Sequence, residues 1–357
     1  MASDLSVYLT ALEEDLRGVL SASEEAVAPL YKMMQYHLSW LDKRFHPVAG
    51  PQGKHLRPLI CLLSCQSVGG DWRRALPAAS AIELIHDFSL IHDDIEDESD
   101  LRRHRATVWR LWGIAQAINA GDAMWALAGL SMLRLLDRGY SAGTVLRVIE
   151  LLHETCLELC TGQYLDLAFQ SAQSVSLADY ERMISGKTAA LFSASAAIGA
   201  MLGTADGGGE QVVDAYRDFG KELGLSYQIV DDILGIWGDP AVTGKSAASD
   251  LIERKKTMPV LYALHWEQEH GCSDLQAIYA QPVISEDHLS TVLGLLARCG
   301  AHEHARNRAR EHCQRALDNL DAAEVADTGE RPSGGQGIDA ARQMLGQLVL
   351  ACVDRDS

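Results

Sequence analysis

The chain has 357 residues, 47% hydrophobic and 22% charged, the usual balance of a soluble globular protein. Length sets only a prior of one or two domains. With 31 basic against 49 acidic residues the net charge is −18, which argues against nonspecific nucleic-acid binding but leaves room for a local basic pocket.

In chain order, the first twenty residues (MASDLSVYLTALEEDLRGVL) read as acidic and amphipathic, without the basic start and apolar stretch of a signal peptide. Helical periodicity dominates thereafter, between short breaks containing Gly or Pro. The break His46–Gly53 leads into GKHLRP, which sets Lys54 and Arg57 three residues apart. Cys61/Cys65 and Cys156/Cys160 each stack on one helix face. With no C-x-x-C, the eight cysteines read as buried apolar thiols of a reducing cytoplasm, not zinc ligands. Then comes LIHDDIEDESDLRRHR (Leu90–Arg105), followed by SGKTAA with Lys187 and Thr188. Thr188–Ala205 has 18 uncharged residues rich in Ala, Ser and Gly. It is short for a membrane span and reads as a buried helix whose small residues admit a close neighbour. YQIVDDILGIWGD (Tyr227–Asp239) repeats the Asp-Asp pair, and TGKSAASD supplies Lys245. Further breaks fall at Val68–Asp71, Thr204–Glu210, Gly238–Ser249 and Asp327–Gly337, with apolar helical pattern resuming after each. Alternating β-branched strands and a Rossmann glycine pattern are both absent. The expectation is an all-α chain folding as a single domain over 1–357.

The acidic stretches carry the chemistry. Asp93 and Asp97 lie one helical turn apart on one face, where like charges repel by a few tenths of a kcal/mol. Six of the eight residues Asp93–Asp100 are acidic. Charge runs usually mark a solvated face, but this one follows closely on the apolar Phe88–Ile91, and carboxylates at the edge of a core need cations. Carboxylates without cysteine suit a hard ion such as Mg²⁺. Arg102, Arg103, Lys54, Arg57, Lys187 and Lys245 add positive charge, and acids beside Arg and Lys are the apparatus for binding diphosphate. GKT and GKS end like a phosphate-binding Walker loop. The required leading glycine is replaced by Glu181 and Asp239, so that loop is rejected.

Six elements in order, from about Gln52 to Leu264, resemble the trans-isoprenyl diphosphate synthases, the polyprenyl synthetase family: QGKHLRP, ELIHDFSLIHDDIED with its Arg pair, GKTAALF, YQIVDDILG, GKSAASDL and KKTMP. The resemblance implies a helical bundle around a deep central cavity, a homodimer, and head-to-tail joining of isopentenyl diphosphate to an allylic diphosphate. It implies that Asp93 and Asp97 hold Mg²⁺ on the allylic diphosphate with Asp94 in support. Asp231 would hold the remaining ion of three, with Asp232 behind it. Arg102, Lys187, Thr188, Gln228 and Lys245 would touch the allylic diphosphate. Lys54, Arg57, His86 and Arg103 would hold isopentenyl diphosphate. Phe88 and Ser89, five and four residues before Asp93, would set product length, with a twenty-carbon product expected and fifteen carbons the close competitor.

The sequence departs from the family pattern at Gln52, at His55, and at His104–Ala106, where Gly-x-Pro is usual. It also departs at Gly235, where the second motif usually ends in Asp. Losing that acid is expected to raise the Mg²⁺ requirement, with Asp239 compensating if the helix continues. A class I terpene cyclase would need a different second motif and no second diphosphate site, and a silent synthase subunit would have lost acids from the first. No targeting signal is visible, so the cytoplasm is the expected location.

Overall fold

The computed structural model describes residues 2–48, 53–172, 174–204, 209–239, 248–281, 284–326 and 335–353. Gln52 and Lys245 lie outside the described residues. Among these the architecture is helical, with one short antiparallel hairpin of β1 (Leu101–Arg102) and β2 (Arg105–Ala106) and an isolated bridge from Leu41 to Pro47. The all-α expectation holds. The chain forms two compact units, each assembled from three separate stretches: residues 1–153, 194–213 and 327–345, and residues 154–193, 214–326 and 346–357.

In the first unit, α1 (Ala2–Val19) buries Tyr8, Leu12 and Leu16, four residues apart, as a helical stripe demands. Pro77 opens α4 (Leu76–Glu96), where its missing N–H is harmless. Asp15 of α1 pairs with Arg134 through two short bonds, 2.6 and 3.0 Å, and accepts from Ser80 of α4 at 2.7 Å. The uncharged stretch expected to be a buried helix forms α9 (Ala190–Gly203). A β-carbon on Gly199 or Gly203 would strike the backbone of Cys61 or Cys65 on α3 (Leu56–Ser67), so small residues there do permit close helix contact. Of the cysteines, Cys160 is exposed and Cys272 half-buried, unlike the rest.

The hairpin positions functional side chains. Arg105 donates to the carbonyls of Tyr36 and Leu41, and Trp109 Nε1 donates to Ser99 O at 2.9 Å. The two central residues, Arg103 and His104, have φ of 51° and 61°. This is the two-residue turn that Asn-Gly usually supplies, because a β-carbon is disfavoured there. His104→Gly is therefore expected to raise stability by about 1 kcal/mol, read as a higher urea midpoint. An unchanged midpoint would show that the turn carries no such strain.

The second unit packs the latter part of α7 (Ala142–Ser171), α8 (Leu177–Ile184) and most of α10 (Glu210–Trp237) against the helix Met258–His270. Its core includes Tyr180, Ile184, Ile229, Val230, Ile233, Met258 and Leu261. A capping box of Ser176 and Asp179 starts α8. Between α8 and α9, residues Ser185–Ala189 form one turn of π-helix. Such wide turns concentrate at functional sites, and this one carries Gly186, Lys187 and Thr188.

Candidate active site

In the first unit the acids gather at the C-terminal end of α4. Asp97 caps it, with its N–H on Asp93 O at 2.9 Å, so the one-turn spacing of Asp93 and Asp97 is kept. A helix C-terminus is itself negative, so carboxylates here are disfavoured unless cations offset them. Arg102 is one such cation: its Nε donates to Asp94 Oδ1 at 2.8 Å and its Nη2 lies 3.6 Å from Asp93 Oδ2. Asp94 is only 2% exposed, and its Oδ2 is buried without a hydrogen bond. Burial pushes its carboxyl pKa up, against the pull of Arg102. The pair thus divides: Asp94 is buried on Arg102, and Asp93 stays half-buried and accessible, as does Asp97.

The second group follows along α4. Arg57 Nη1 donates to His86 Nε2 at 3.2 Å. Burial and the charges of Arg57, Arg103 and Arg102 hold the His86 pKa well below the usual value, so the ring is neutral, with its proton on Nδ1. Arg103 lies against Gly53, where a β-carbon would come within 2.9 Å of its Nη2, and Lys54 is exposed beside it. The predicted isopentenyl diphosphate residues Arg57, His86 and Arg103 therefore form one cluster. Ser89 Oγ donates to His86 O at 2.7 Å. Phe88 meets His92 edge-on, centroids 5.6 Å apart, and Gly121 of α6 (Ile114–Leu133) leaves room for the His92 ring.

Sequence reading missed two buried acids on α4. Glu83 bonds His55 Nδ1 at 2.6 Å, and Asp87 faces His37 Nε2 at 3.5 Å. Burial alone would depress the His55 pKa, but the bond to Glu83 and the charges of Glu83 and Asp87 outweigh it and raise the pKa. Because the folded value lies above the unfolded one, near 6.5, this pair stabilises fully below that pH. The contribution is lost as pH rises through the folded value. His55→Gln is thus expected to be most destabilised relative to wild type at pH 6 and progressively less so towards pH 8, in urea melts. A gap independent of pH would exclude the linkage.

In the second unit, Asp232 accepts three hydrogen bonds: from Tyr180 OH at 2.5 Å, from Met258 N at 3.0 Å and from Gln228 Nε2 at 3.0 Å. Burial drives its pKa up to about 7, with these donors opposing and Asp250 adding to the rise. Gln228 in turn accepts from Thr188 Oγ1 at 2.6 Å. Asp231, one residue earlier, is half-buried. The division seen at Asp93/Asp94 recurs: the second acid is fixed inside and the first is presented. Lys187 Nζ reaches Asp166 of α7 at 2.5 Å. Lys256 caps the same helix, donating to the carbonyls of Phe169 and Ala172.

The polyprenyl synthetase profile matches residues 38–296. A (2E,6E)-farnesyl diphosphate synthase of Mycobacterium tuberculosis is 40% identical over 319 residues, covering 84% of this chain and 86% of its own. A geranylgeranyl pyrophosphate synthase of Geoglobus acetivorans is 39% identical over 345 residues, covering 97% and 99%. The crystal structure of a polyprenyl synthetase from Streptomyces coelicolor superposes with a TM-score of 0.82 at 34% identity, covering 96% of each chain. The chain belongs to the polyprenyl synthetase family. It is an enzyme of the trans-prenyltransferase class, as the six ordered motifs imply.

For a polyprenyl synthetase, the donors fit Mg²⁺. They are the half-buried carboxylates of Asp93, Asp97 and Asp231, with no thiolate among them. No three His, Cys, Asp or Glu among the described residues are gathered into a complete metal cage. Mg²⁺ commonly takes one or two carboxylates and completes its shell with phosphate oxygens and water. One sequence expectation is revised in detail: α10 ends at Trp237, so Asp239 is not on a continuing helix and lies exposed.

Proposed function

We propose that this protein joins isopentenyl diphosphate head-to-tail to an allylic diphosphate, giving a linear trans-prenyl diphosphate of twenty carbons, with residues 1–357 acting as one catalytic domain. The observation that carries the reading is the repeated division of each Asp-Asp pair, with one acid locked by Arg102 or Tyr180 and its neighbour half-buried. Asp93, Asp97 and Asp231 would hold Mg²⁺, in three ions by the family resemblance. When bound, Mg²⁺ neutralises charge on the departing diphosphate.

The chain's own groups do the rest. Arg102 and Lys187 bind and orient the allylic diphosphate, with Thr188, Gln228 and Lys245 completing its site. Preorganised cations at the departing oxygens favour ionisation of the C–O bond. Lys54, Arg57 and Arg103 grip isopentenyl diphosphate, and neutral His86 offers its Nδ1 proton. The double bond attacks the allylic cation, and the proton then lost passes to pyrophosphate. The sequence needs no protein nucleophile.

A fifteen-carbon product is the alternative, because relatives named for both products match at similar identity. Phe88 decides it. It stands on α4 five residues before Asp93, half-buried and braced by His92. Purified protein with Mg²⁺, isopentenyl diphosphate and, separately, five-, ten- and fifteen-carbon primers should yield a linear twenty-carbon diphosphate. Absence of condensation with every primer would overturn the reading. Phe88→Ala should give longer products by chromatography, and an unchanged length would remove Phe88 as the floor.

Homodimer assembly belongs to the same proposal. On α6, Ile114, Ile118 and Trp125 expose large apolar surface on one helical stripe, of the kind that marks an interface. No helix among the described residues is long and apolar enough to cross a membrane. A cytoplasmic location is proposed from the family resemblance alone.

A further inference from the structure

The two acidic stretches differ in one place. The first carries its third acid at Asp97, four residues after Asp93, and the second has Gly235 four residues after Asp231. Gly235 is buried on α10, and the space where its side chain would stand is already occupied. A β-carbon built there would overlap the Asp250 carboxylate, at 2.5 Å from Cγ and closer still to Oδ2. We infer that Asp250 supplies the missing third carboxylate of the second acidic motif, delivered from another segment, and that Gly235 is glycine in order to admit it.

Three further observations support the assignment. Asp250 is 6% exposed, as befits a side chain packed onto α10 and not projecting to solvent. Its Oδ1 is faced by Lys255 Nζ at 3.9 Å, beyond hydrogen-bond distance. Its backbone is also clamped. The neighbouring Leu251 is fully buried in a cluster with Ile236 and Val260. Lys255 N donates to Asp250 O at 2.8 Å, and Arg254 Nη2 donates to Tyr279 O at 2.5 Å. Asp250 therefore has a fixed aim. Asp239, the nearer acid in sequence, is exposed beyond the end of α10. Asp250 would act as a positioning residue towards a bound Mg²⁺, and this inference rests on the function proposed above.

The test is a reciprocal swap read by binding as well as by turnover. Wild type, Asp250→Ala, Gly235→Asp and the double variant are titrated with Mg²⁺ in the presence of inorganic pyrophosphate, following the rise in melting temperature and the heat of binding. Asp250→Ala is expected to raise the half-saturating Mg²⁺ concentration by roughly 10-fold or more. Gly235→Asp alone should do the same and melt lower, since its new acid collides with Asp250. The double variant has room for that acid and should return to within about threefold of wild type, well short of the roughly 10-fold loss expected of either single variant. An unchanged half-saturation in Asp250→Ala, or a double variant no better than either single one, overturns the inference. If Asp250→Ala does not fold, the isosteric Asp250→Asn gives the same readout. Wild-type condensation is measured alongside. Its absence counts against the proposed function, whereas normal wild-type activity with an unresponsive Asp250 counts against this inference alone.

Discussion

Arg102→Met is expected to lower stability by about 3 kcal/mol, the low end for breaking a buried ion pair. It should also cut kcat/KM by roughly 10³-fold, the scale for losing one charge-stabilising donor. Both losses come from the same guanidinium. Asp94 is almost fully buried, and the 2.8 Å bond from Arg102 Nε is what offsets its lost hydration. With a thioether in place of the guanidinium, the carboxylate must ionise unpaired or take up a proton, and either is unfavourable in folding. The arginine side chain itself is 28% exposed, which places the effect at the low end. The double variant Arg102→Met/Asp94→Leu separates the two roles. It exchanges a buried pair for packed apolar groups and should recover most of the stability, while activity stays lost because no cation reaches the diphosphate. Chemical denaturation and steady-state rates check both halves. If Arg102→Met alone melts like wild type, Asp94 does not depend on this pair.

How much was legible in the sequence depended on the range of the interaction. Asp93 with Asp97, and the amphipathic stripe of α1, are relations within one helix, and helical spacing alone reveals them. The all-α class followed from the same periodicity. Partners across segments were hidden. Lys187 with Asp166 and Tyr180 with Asp232 join residues 21 and 52 positions apart. No local pattern marks Asp166 or Tyr180 as special. Glu83 and Asp87 read as ordinary polar helix residues, although each is nearly buried against a histidine. Gly235 was visible as a departure, but its cause was not, because the acid that fills its place comes from a different segment. Gly162 gave no signal at all: a glycine inside a helical pattern reads as a weak point in the helix, and only the packing explains it.

That packing makes Gly162→Ala the second variant with a large expected effect. Alanine is the better helix former by about 1 kcal/mol, so an isolated α7 would gain from the change. In the fold it cannot. A β-carbon on Gly162 would lie 2.6 Å from Gly186 C and 2.7 Å from Lys187 Cα, and closer still to Lys187 N. On the opposite side, a β-carbon on Gly186 would come within 2.7 Å of Glu158 O and 3.1 Å of Gly162 Cα. The π-helical turn bearing Lys187 thus sits directly on the backbone of α7, through two glycines. The obstructing atoms are main chain and cannot swing aside like the end of a flexible side chain. Alanine must push the turn away from α7, and Lys187 moves with it, breaking its 2.5 Å pair with Asp166 on that same helix. Misplacement of a binding group by about 1 Å is enough for a roughly 100-fold loss of kcat/KM. Overpacking should lower stability by about 1–3 kcal/mol, the reverse of the propensity gain. Lys187→Ala is the companion measurement. If displacement of Lys187 is the cause, Gly162→Ala in the Lys187→Ala background should add little further loss of activity while still lowering stability. A Gly162→Ala enzyme with full activity would show that the turn can shift without moving the lysine from its working position.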